Sequence, residues 1–279
     1  MHITASYENL GRAGVETITA TQIKFPGGEV QVRLDLEGRA YPYGSTFRIR
    51  ADIRSSDDLM RLLMATNALR QHEPGAEIEL LMPYIPYARQ DRVAVPGEAL
   101  SIKVFAEIIN GQRYDQVGVW DAHSDVSLAL LDRVHHVTAA DLLQHRQVHH
   151  LFDNHVIVAP DAGAVKRASA VAKALGTDLV RAEKTRSSRT GEITGTRIMN
   201  IGEYRDGAFM IVDDICDGGR TFIELAKALR DVSDRPRSLY VTHGIFSAGF
   251  DGLRQWFDRI ICANVLTDIQ PPEGFLIKI

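Results

Sequence analysis

Cysteine is nearly missing from this chain. Two residues in 279, Cys216 and Cys262, cannot form a disulfide framework, and no Cys/His spacing of a structural zinc site accompanies them. Long apolar runs are missing as well. None approaches the ~18 to 20 residues of a bilayer-spanning helix, so no membrane partner is expected. The segment from Met1 to Gly14 has neither the basic start nor the apolar core of a signal peptide, and a cytosolic product is expected. Positive charge is not in excess: 32 Lys and Arg face 36 Asp and Glu, a formal net charge of −4, so nothing in the overall balance attracts a nucleic acid and none is expected as a partner. No Pro-rich or low-complexity linker interrupts the chain, and no GxxxxGK[ST] run occurs, which excludes Walker-type phosphate binding. The ten histidines include the pairs His135/His136 and His149/His150, but without an HExxH spacing they read as surface residues.

What is there is ordinary globular material, 45% hydrophobic and 24% charged. The length suits two packed domains. Short runs rich in Val, Ile, Leu and aromatics, at Ile78–Tyr84, Gln116–Trp120, His155–Ala159, Phe209–Val212 and Ser238–Thr242, read as buried strands. Helices are expected over Asp57–Gln71, with Ser55 or Ser56 as cap, and over Ser101–Asn110, Gly163–Leu175 and Thr221–Asp231. Strands alternating with helices mean parallel sheets covered on both faces, an α/β fold. Near the N-terminus Thr17–Ile23, Val30–Leu36 and Thr46–Arg50 alternate without helices and suggest a hairpin flank. A helix from Ala139 to Leu151 separates two blocks of β/α units, which puts the boundary near residue 142: domains 1–142 and 143–279.

In such sheets ligands bind at the carboxyl ends of the strands. The strongest candidate is Phe209 to Thr221, an apolar strand ending in two carboxylates and then a glycine-containing loop that opens a helix. Backbone N–H groups of Asp217, Gly218, Gly219, Arg220 and Thr221, with a helix N-terminus behind them, can nest a phosphate. Asp213 and Asp214 can accept hydrogen bonds from the vicinal hydroxyls of a ribose. In the segment Leu81 to Arg92, two prolines end a strand, and Arg89 and Arg92 offer planar donor forks to a triphosphate.

The first of these segments resembles the phosphoribosyl pyrophosphate (PRPP) signature of the type I phosphoribosyltransferase fold. The second, with Tyr87-Ala88-Arg89 followed by Gln90-Asp91-Arg92, resembles the ATP-binding stretch of PRPP synthetases, the ribose-phosphate diphosphokinases. Trp120-Asp121-Ala122-His123 is similar to that family's Asp-Leu-His segment, and Pro160-Asp161-Ala162-Gly163 to its Pro-Asp-Ala-Gly. Phe25-Pro26-Gly27-Gly28-Glu29 occupies the place of a loop that contacts adenine from a neighbouring subunit. Lys184-Thr185-Arg186 stands at the root of the family's mobile catalytic loop, and Thr185–Thr196 has a loop's composition.

The resemblance implies two tandem phosphoribosyltransferase-like domains. It implies ATP held by Phe25, Glu29, Arg89, Gln90, Arg92 and His123, and Mg²⁺ near His123 and Asp161. The sugar phosphate would lie on Asp213, Asp214 and residues 217–221, with Lys184 and Arg186 catalytic, in a homo-oligomer, dimer or hexamer. The reaction expected is transfer of the β,γ-diphosphate of ATP to ribose 5-phosphate. A phosphoribosyltransferase would not need the Tyr87–Arg92 motif, and a non-catalytic regulatory subunit would be expected to have lost loop or metal residues that are kept here.

Four departures stand beside the matches. Arg220 replaces a glycine of the phosphate nest, which suggests a sugar carrying more than one phosphate on its 5-carbon, such as ADP-ribose. Gly27 stands where the family has Asp or Asn, Val93–Glu98 is nearly uncharged, and the family continues beyond the position of Ile279 into a final helix. These places are associated with nucleotide selectivity, subunit contacts and regulation.

Overall fold

A computed structural model describes residues 1–9, 12–145, 148–186, 193–199 and 207–279. The chain separates into two compact units, Met1–Val137 and Thr138–Ile279. The division falls just before the helix in which the expected boundary near residue 142 lies.

The first unit begins with strands the sequence reading did not anticipate, β1 (His2–Asn9) and β2 (Arg12–Ile18), paired antiparallel. β3 (Ala20–Lys24) and β4 (Val30–Leu34) form a separate hairpin. The Lys24 ammonium ties it to the start of the first helix through Asp57, at 2.6 Å. Then follow β5 (Thr46–Arg50), α1 (Ser56–His72), β6 (Glu77–Leu81), α2 (Ser101–Gly111), β7 (Gln116–Trp120), α3 (Asp125–Leu130) and β8 (Val134–Val137). The sheet order is β2-β1-β5-β6-β7-β8, parallel from β5 onward. Thr46–Arg50 is therefore a strand inside the main sheet, where a flanking hairpin was expected.

The second unit contains α4 (Ala139–His145), β9 (His155–Ala159), α5 (Val165–Leu175), β10 (Leu179–Arg186), β11 (Ile193–Met199), β12 (Ala208–Cys216), α6 (Arg220–Val232), β13 (Arg237–Gly244), α7 (Asp251–Arg254), β14 (Arg259–Val265) and β15 (Leu276–Lys278). The expected helix over Ala139–Leu151 is α4 followed by a 3-10 turn at His149–Leu151. The sheet order is β11-β10-β9-β12-β13-β14-β15, with only the β10/β11 pair antiparallel.

Two-faced burial explains the apolar runs. Along β12, Phe209 and Ile211 pack in a core with Phe222, Leu225 and Leu229 of α6, while Met210 and Val212 join Ala168 and Val171 of α5 on the other face. In the first unit Phe47, Ile49, Ile78, Leu80, Val117 and Val119 of the parallel strands share one core with Leu62 and Leu69 of α1 and Phe105 of α2. The one polar residue of the α1 stripe is satisfied: Thr66 Oγ1 donates to Leu62 O at 2.9 Å and meets the Tyr114 hydroxyl at 2.7 Å. Burial pushes the Tyr114 phenol up to about 12. Both cysteines are buried free thiols. No helix among the described residues is long and apolar enough to cross a membrane.

Ser55 caps α1, its hydroxyl accepting from the Asp58 N–H at 3.2 Å and donating to the Asp58 carboxylate at 2.8 Å. Ser55→Ala should therefore destabilise the first unit by about 1 kcal/mol. Thermal unfolding followed by circular dichroism checks it, and an unchanged midpoint would remove the cap from the account.

Candidate active site

In the first unit the candidate residues follow the carboxyl ends of β6 and β7. Chain direction turns sharply after Leu81, where Pro83 and Pro86 preclude further strand pairing. Ile85 and Ala88, 2% and 1% exposed, anchor the following turn in the core. Arg89, Gln90 and Arg92 are left at the surface as a result. The turn is held by Gln90 N–H donating to Tyr87 O at 2.8 Å, and the Tyr87 ring packs against Phe105 at a centroid distance of 5.7 Å. Tyr87 takes φ 65°, a conformation that L-residues rarely adopt.

Beside this turn, β7 ends at Trp120 and passes through the buried Asp121, at φ 36°, to the exposed His123. His136 of β8 supports this corner, its Nε2 accepting from the Ala122 N–H at 3.1 Å, so it is not the merely solvated histidine expected. Trp120 N–H donates to Pro83 O at 2.9 Å, which joins the two segments directly. Arg89, Gln90, Arg92 and His123 thus share one sheet edge. Phe25 and Glu29 are instead at the tip of the β3–β4 hairpin, where Phe25 N–H donates to Glu29 O at 2.8 Å and the Phe25 ring is 48% exposed.

The second unit repeats the arrangement at the ends of its adjacent strands β9, β12 and β13. The carboxylate pair stands differently from the sequence expectation: β12 continues past Val212 to Cys216, so Asp213 and Asp214 are inside the strand. Their side chains are 18% and 6% exposed. Arg167 of α5, 14% exposed, reaches both, with Nη1 3.2 Å from Asp213 Oδ1 and Nη2 3.6 Å from Asp214 Oδ2. Desolvation pushes the Asp213 carboxyl well above the ordinary carboxylate range, the charge of Asp214 and a hydrogen bond with it push the same way, and Arg167 opposes them.

Past Cys216 the chain forms the loop that opens α6. Ser247, after β13, donates to Asp217 Oδ1 at 2.6 Å, and Cys216 O accepts from the N–H groups of Ile245 and Phe246 at 2.8 and 3.0 Å. Gly219 precedes the helix at φ 78°, and a Cβ there would stand 2.9 Å from Leu253. Arg220 begins α6 with its side chain 92% exposed, 3.4 Å from Glu224 one turn on. Asp161 follows β9, its Oδ1 accepting from the Gly163 and Ala164 N–H groups at 3.0 and 3.2 Å in the turn before α5.

Lys184 and Arg186 are strand residues of β10, paired with Thr196 and Ile193 across an irregularity at Thr185/Arg186. The loop expected over Thr185–Thr196 is shorter, because strands occupy both its ends; residues 187–192 lie outside the described residues. Sequence reasoning missed Arg167 and Ser247 as site residues. Arg167 had a legible signal, a cation in the first turn of a helix just after a strand end, where positive charge is disfavoured unless it answers something.

Comparison with known proteins identifies the family. A family model described as the N-terminal domain of ribose phosphate pyrophosphokinase matches residues 7–112, and one described as a phosphoribosyl transferase domain matches residues 139–235. The ribose-phosphate pyrophosphokinase of Pyrococcus furiosus is 31% identical over 89% of this chain and 87% of its own. The chain belongs to the ribose-phosphate pyrophosphokinase family. Its Chromobacterium violaceum relative is 34% identical over 94% of this chain and 76% of its own. The crystal structure of the phosphoribosylpyrophosphate synthetase of Mycobacterium smegmatis superposes with a TM-score of 0.76 at 26% identity, covering 95% of this chain and 86% of that one. The fold is thus α/β with phosphoribosyltransferase-like domains, and the family is one of transferases.

Gly219→Ala should destabilise the second unit by about 1 to 2 kcal/mol, because alanine is strained at this φ and its methyl group meets Leu253. The urea midpoint reads the effect, and a midpoint at or above that of the parent would show that the loop relaxes freely.

Proposed function

We propose that this protein transfers the β,γ-diphosphate of ATP to the anomeric hydroxyl of ribose 5-phosphate, releasing PRPP and AMP. The observation that carries the reading is that one chain holds two strand edges of different chemistry: arginines and a histidine after β6 and β7, and a carboxylate pair in β12 followed by a glycine-containing loop that opens α6. In the reaction the anomeric oxygen bonds to the β-phosphorus, the bond from that phosphorus to the α,β-bridging oxygen breaks, and AMP leaves with that oxygen. The protein's work is positioning and charge compensation.

Arg89 and Arg92 take the triphosphate, Gln90 and His123 its nucleotide neighbourhood. Asp213 and Asp214 accept from the ribose hydroxyls, while the 5-phosphate takes the N–H groups of Asp217–Thr221. Lys184 and Arg186 supply positive charge to the transferring group. Phe25 and Glu29, on the exposed hairpin tip, meet the adenine of a neighbouring subunit, so a homo-oligomer is part of the proposal.

The donors present suit Mg²⁺ arriving with ATP. Among the described residues no three His, Cys, Asp or Glu side chains converge, and Asp161 already commits Oδ1 to backbone N–H groups. A hard cation that keeps phosphate oxygens and water as most of its ligands makes few demands on the protein, and in the second unit Asp161 is the carboxylate that would meet it. When bound it would neutralise phosphate charge.

A second reading has one observation in its favour. Arg220 is almost wholly exposed in the first turn of α6, where it would meet a second phosphate on the 5-carbon, as in ADP-ribose.

Purified protein with ATP, Mg²⁺ and either sugar, followed by phosphorus NMR and AMP release, decides between them. AMP is expected with ribose 5-phosphate. AMP with ADP-ribose alone, lost selectively in Arg220→Ser, would transfer the proposal to that acceptor, and AMP with neither would overturn it. Lys184→Ala should lower turnover by ~10² while leaving ATP binding nearly intact, since the contact belongs to the transition state. Unchanged turnover would remove Lys184 from the mechanism.

A further inference from the structure

Arg167 is in the first turn of α5, next to Lys166 and with no acidic residue in that turn. Positive charge at a helix N-terminus is disfavoured, and burying a guanidinium is costly unless it is paired. Both costs are met at one place, the carboxylates of β12. The contact also has an uncommon form, since an arginine usually sets both forks on one carboxylate. Here Nη1 approaches Asp213 Oδ1 and Nη2 approaches Asp214 Oδ2, one nitrogen to each acid. Asp213 Oδ1 accepts in addition from the Asp214 N–H at 2.9 Å. These contacts tie the two acids to one cation and to each other.

Carboxylates on consecutive residues in so dry a setting repel each other, and one proton shared between them would relieve the repulsion. A pair in that state is poorly suited to two donating hydroxyls.

We propose that Arg167 is a positioning residue for the sugar: it fixes the two carboxylates in one mutual orientation and compensates their like charge, so that vicinal hydroxyls meet two acceptors. The inference rests on the function proposed above and adds to it a residue that need not touch the substrate. The titratable groups at this end of the elements beside β12 are Lys166 and Arg167 of α5, Asp161 of the preceding turn, His243 of β13 and Arg220 and Glu224 of α6, with Cys216 at the end of β12 and Asp217 just after it. Of these, Arg167 makes the ion pairs with Asp213 and Asp214. Burial raises the Cys216 thiol well above its ordinary range, so it stays neutral.

The sign follows from the direction of the Asp213 shift. Burial and Asp214 raise its titration and Arg167 lowers it, so removing the guanidinium moves the titration further up and favours the protonated pair.

Arg167→Met and Arg167→Lys are compared with the parent by steady-state kinetics and by calorimetric binding of whichever sugar supports AMP release, between about pH 6 and about pH 9. Arg167→Met should raise the sugar KM about tenfold or more at neutral pH, leave the ATP KM within about twofold, and recover part of the loss as pH rises. Arg167→Lys keeps the charge but not the fork, so it should keep the parent pH profile with a weaker sugar affinity. A sugar KM in Arg167→Met that matches the parent at every pH, or a loss shared equally by ATP, overturns the inference. Should Arg167→Met fail to fold, Arg167→Lys decides, and an unchanged sugar KM there overturns it. Parent protein that releases no AMP with either sugar counts against the functional reading alone, and calorimetry with ribose 5-phosphate then tests Arg167 by the same affinity and pH criteria.

Discussion

Two acidic side chains on neighbouring residues of a buried parallel strand carry a desolvation cost that the elements around them must offset. Isolated carboxylates in such a setting would cost several kcal/mol each. The cost is offset in two ways. Apolar packing on both faces of β12, through Phe209 and Ile211 on one side and Met210 and Val212 on the other, makes the strand too well anchored to yield at its polar end. α5 then brings one guanidinium to both acids. Stability sits in the strand's apolar residues, Phe209 to Val212, and chemistry in its carboxyl end. β12 has both because it lies between β9 and β13, where each face is covered.

The same division of labour recurs in the first unit with different means. No buried acid pair marks the edge of β6 and β7. Local backbone strain does: Tyr87 and Asp121 take positive φ at the turns that follow these strands, as Phe246 does after β13. Non-glycine residues hold such conformations only where their surroundings over-determine them. The anchors can be named. Ile85 and Ala88 fix the first turn from below, and His136 fixes the second by accepting from the Ala122 N–H. Both devices present polar side chains on a rigid edge, one by clamping them and the other by shaping the chain that carries them.

Much of this was legible in the sequence. β7 and β9 stand where their apolar runs put them, and α1, α2 and α6 extend their expected spans by only a residue or so at an end. The strand-end motifs were legible too, because chemistry there needs Arg, His, Asp and Gly in short contiguous runs. Three kinds of feature were not. β1 and β2 have weak alternation, and β1 joins the main sheet through β5, some forty residues away. β12 continues through Asp213 and Asp214, where residue type argues against a strand and only the register with β13 reveals one. Arg167 lies 46 residues before Asp213, and nothing local to either residue indicates that they meet.

Burial sorts the arginines at the strand edges of the two units into two kinds, which reconciles a net charge of −4 with the phosphate chemistry proposed. Arg167 is mostly buried and answers acids of the protein itself, so its charge is already balanced before any substrate arrives. Arg89, Arg92 and Arg220 are exposed. A hydrated guanidinium loses part of its water only when a phosphate replaces it, so the cost of desolvation falls on the binding event and not on the fold. A substituent that draws Arg220 away from Glu224 gives up a surface ion pair worth less than about 1 kcal/mol. On the proposed function, that small cost would let the first turn of α6 tell acceptors with one or with two phosphates on the 5-carbon apart, while Asp213, Asp214 and Arg167 would serve a feature both acceptors share, the vicinal hydroxyls of the ribose.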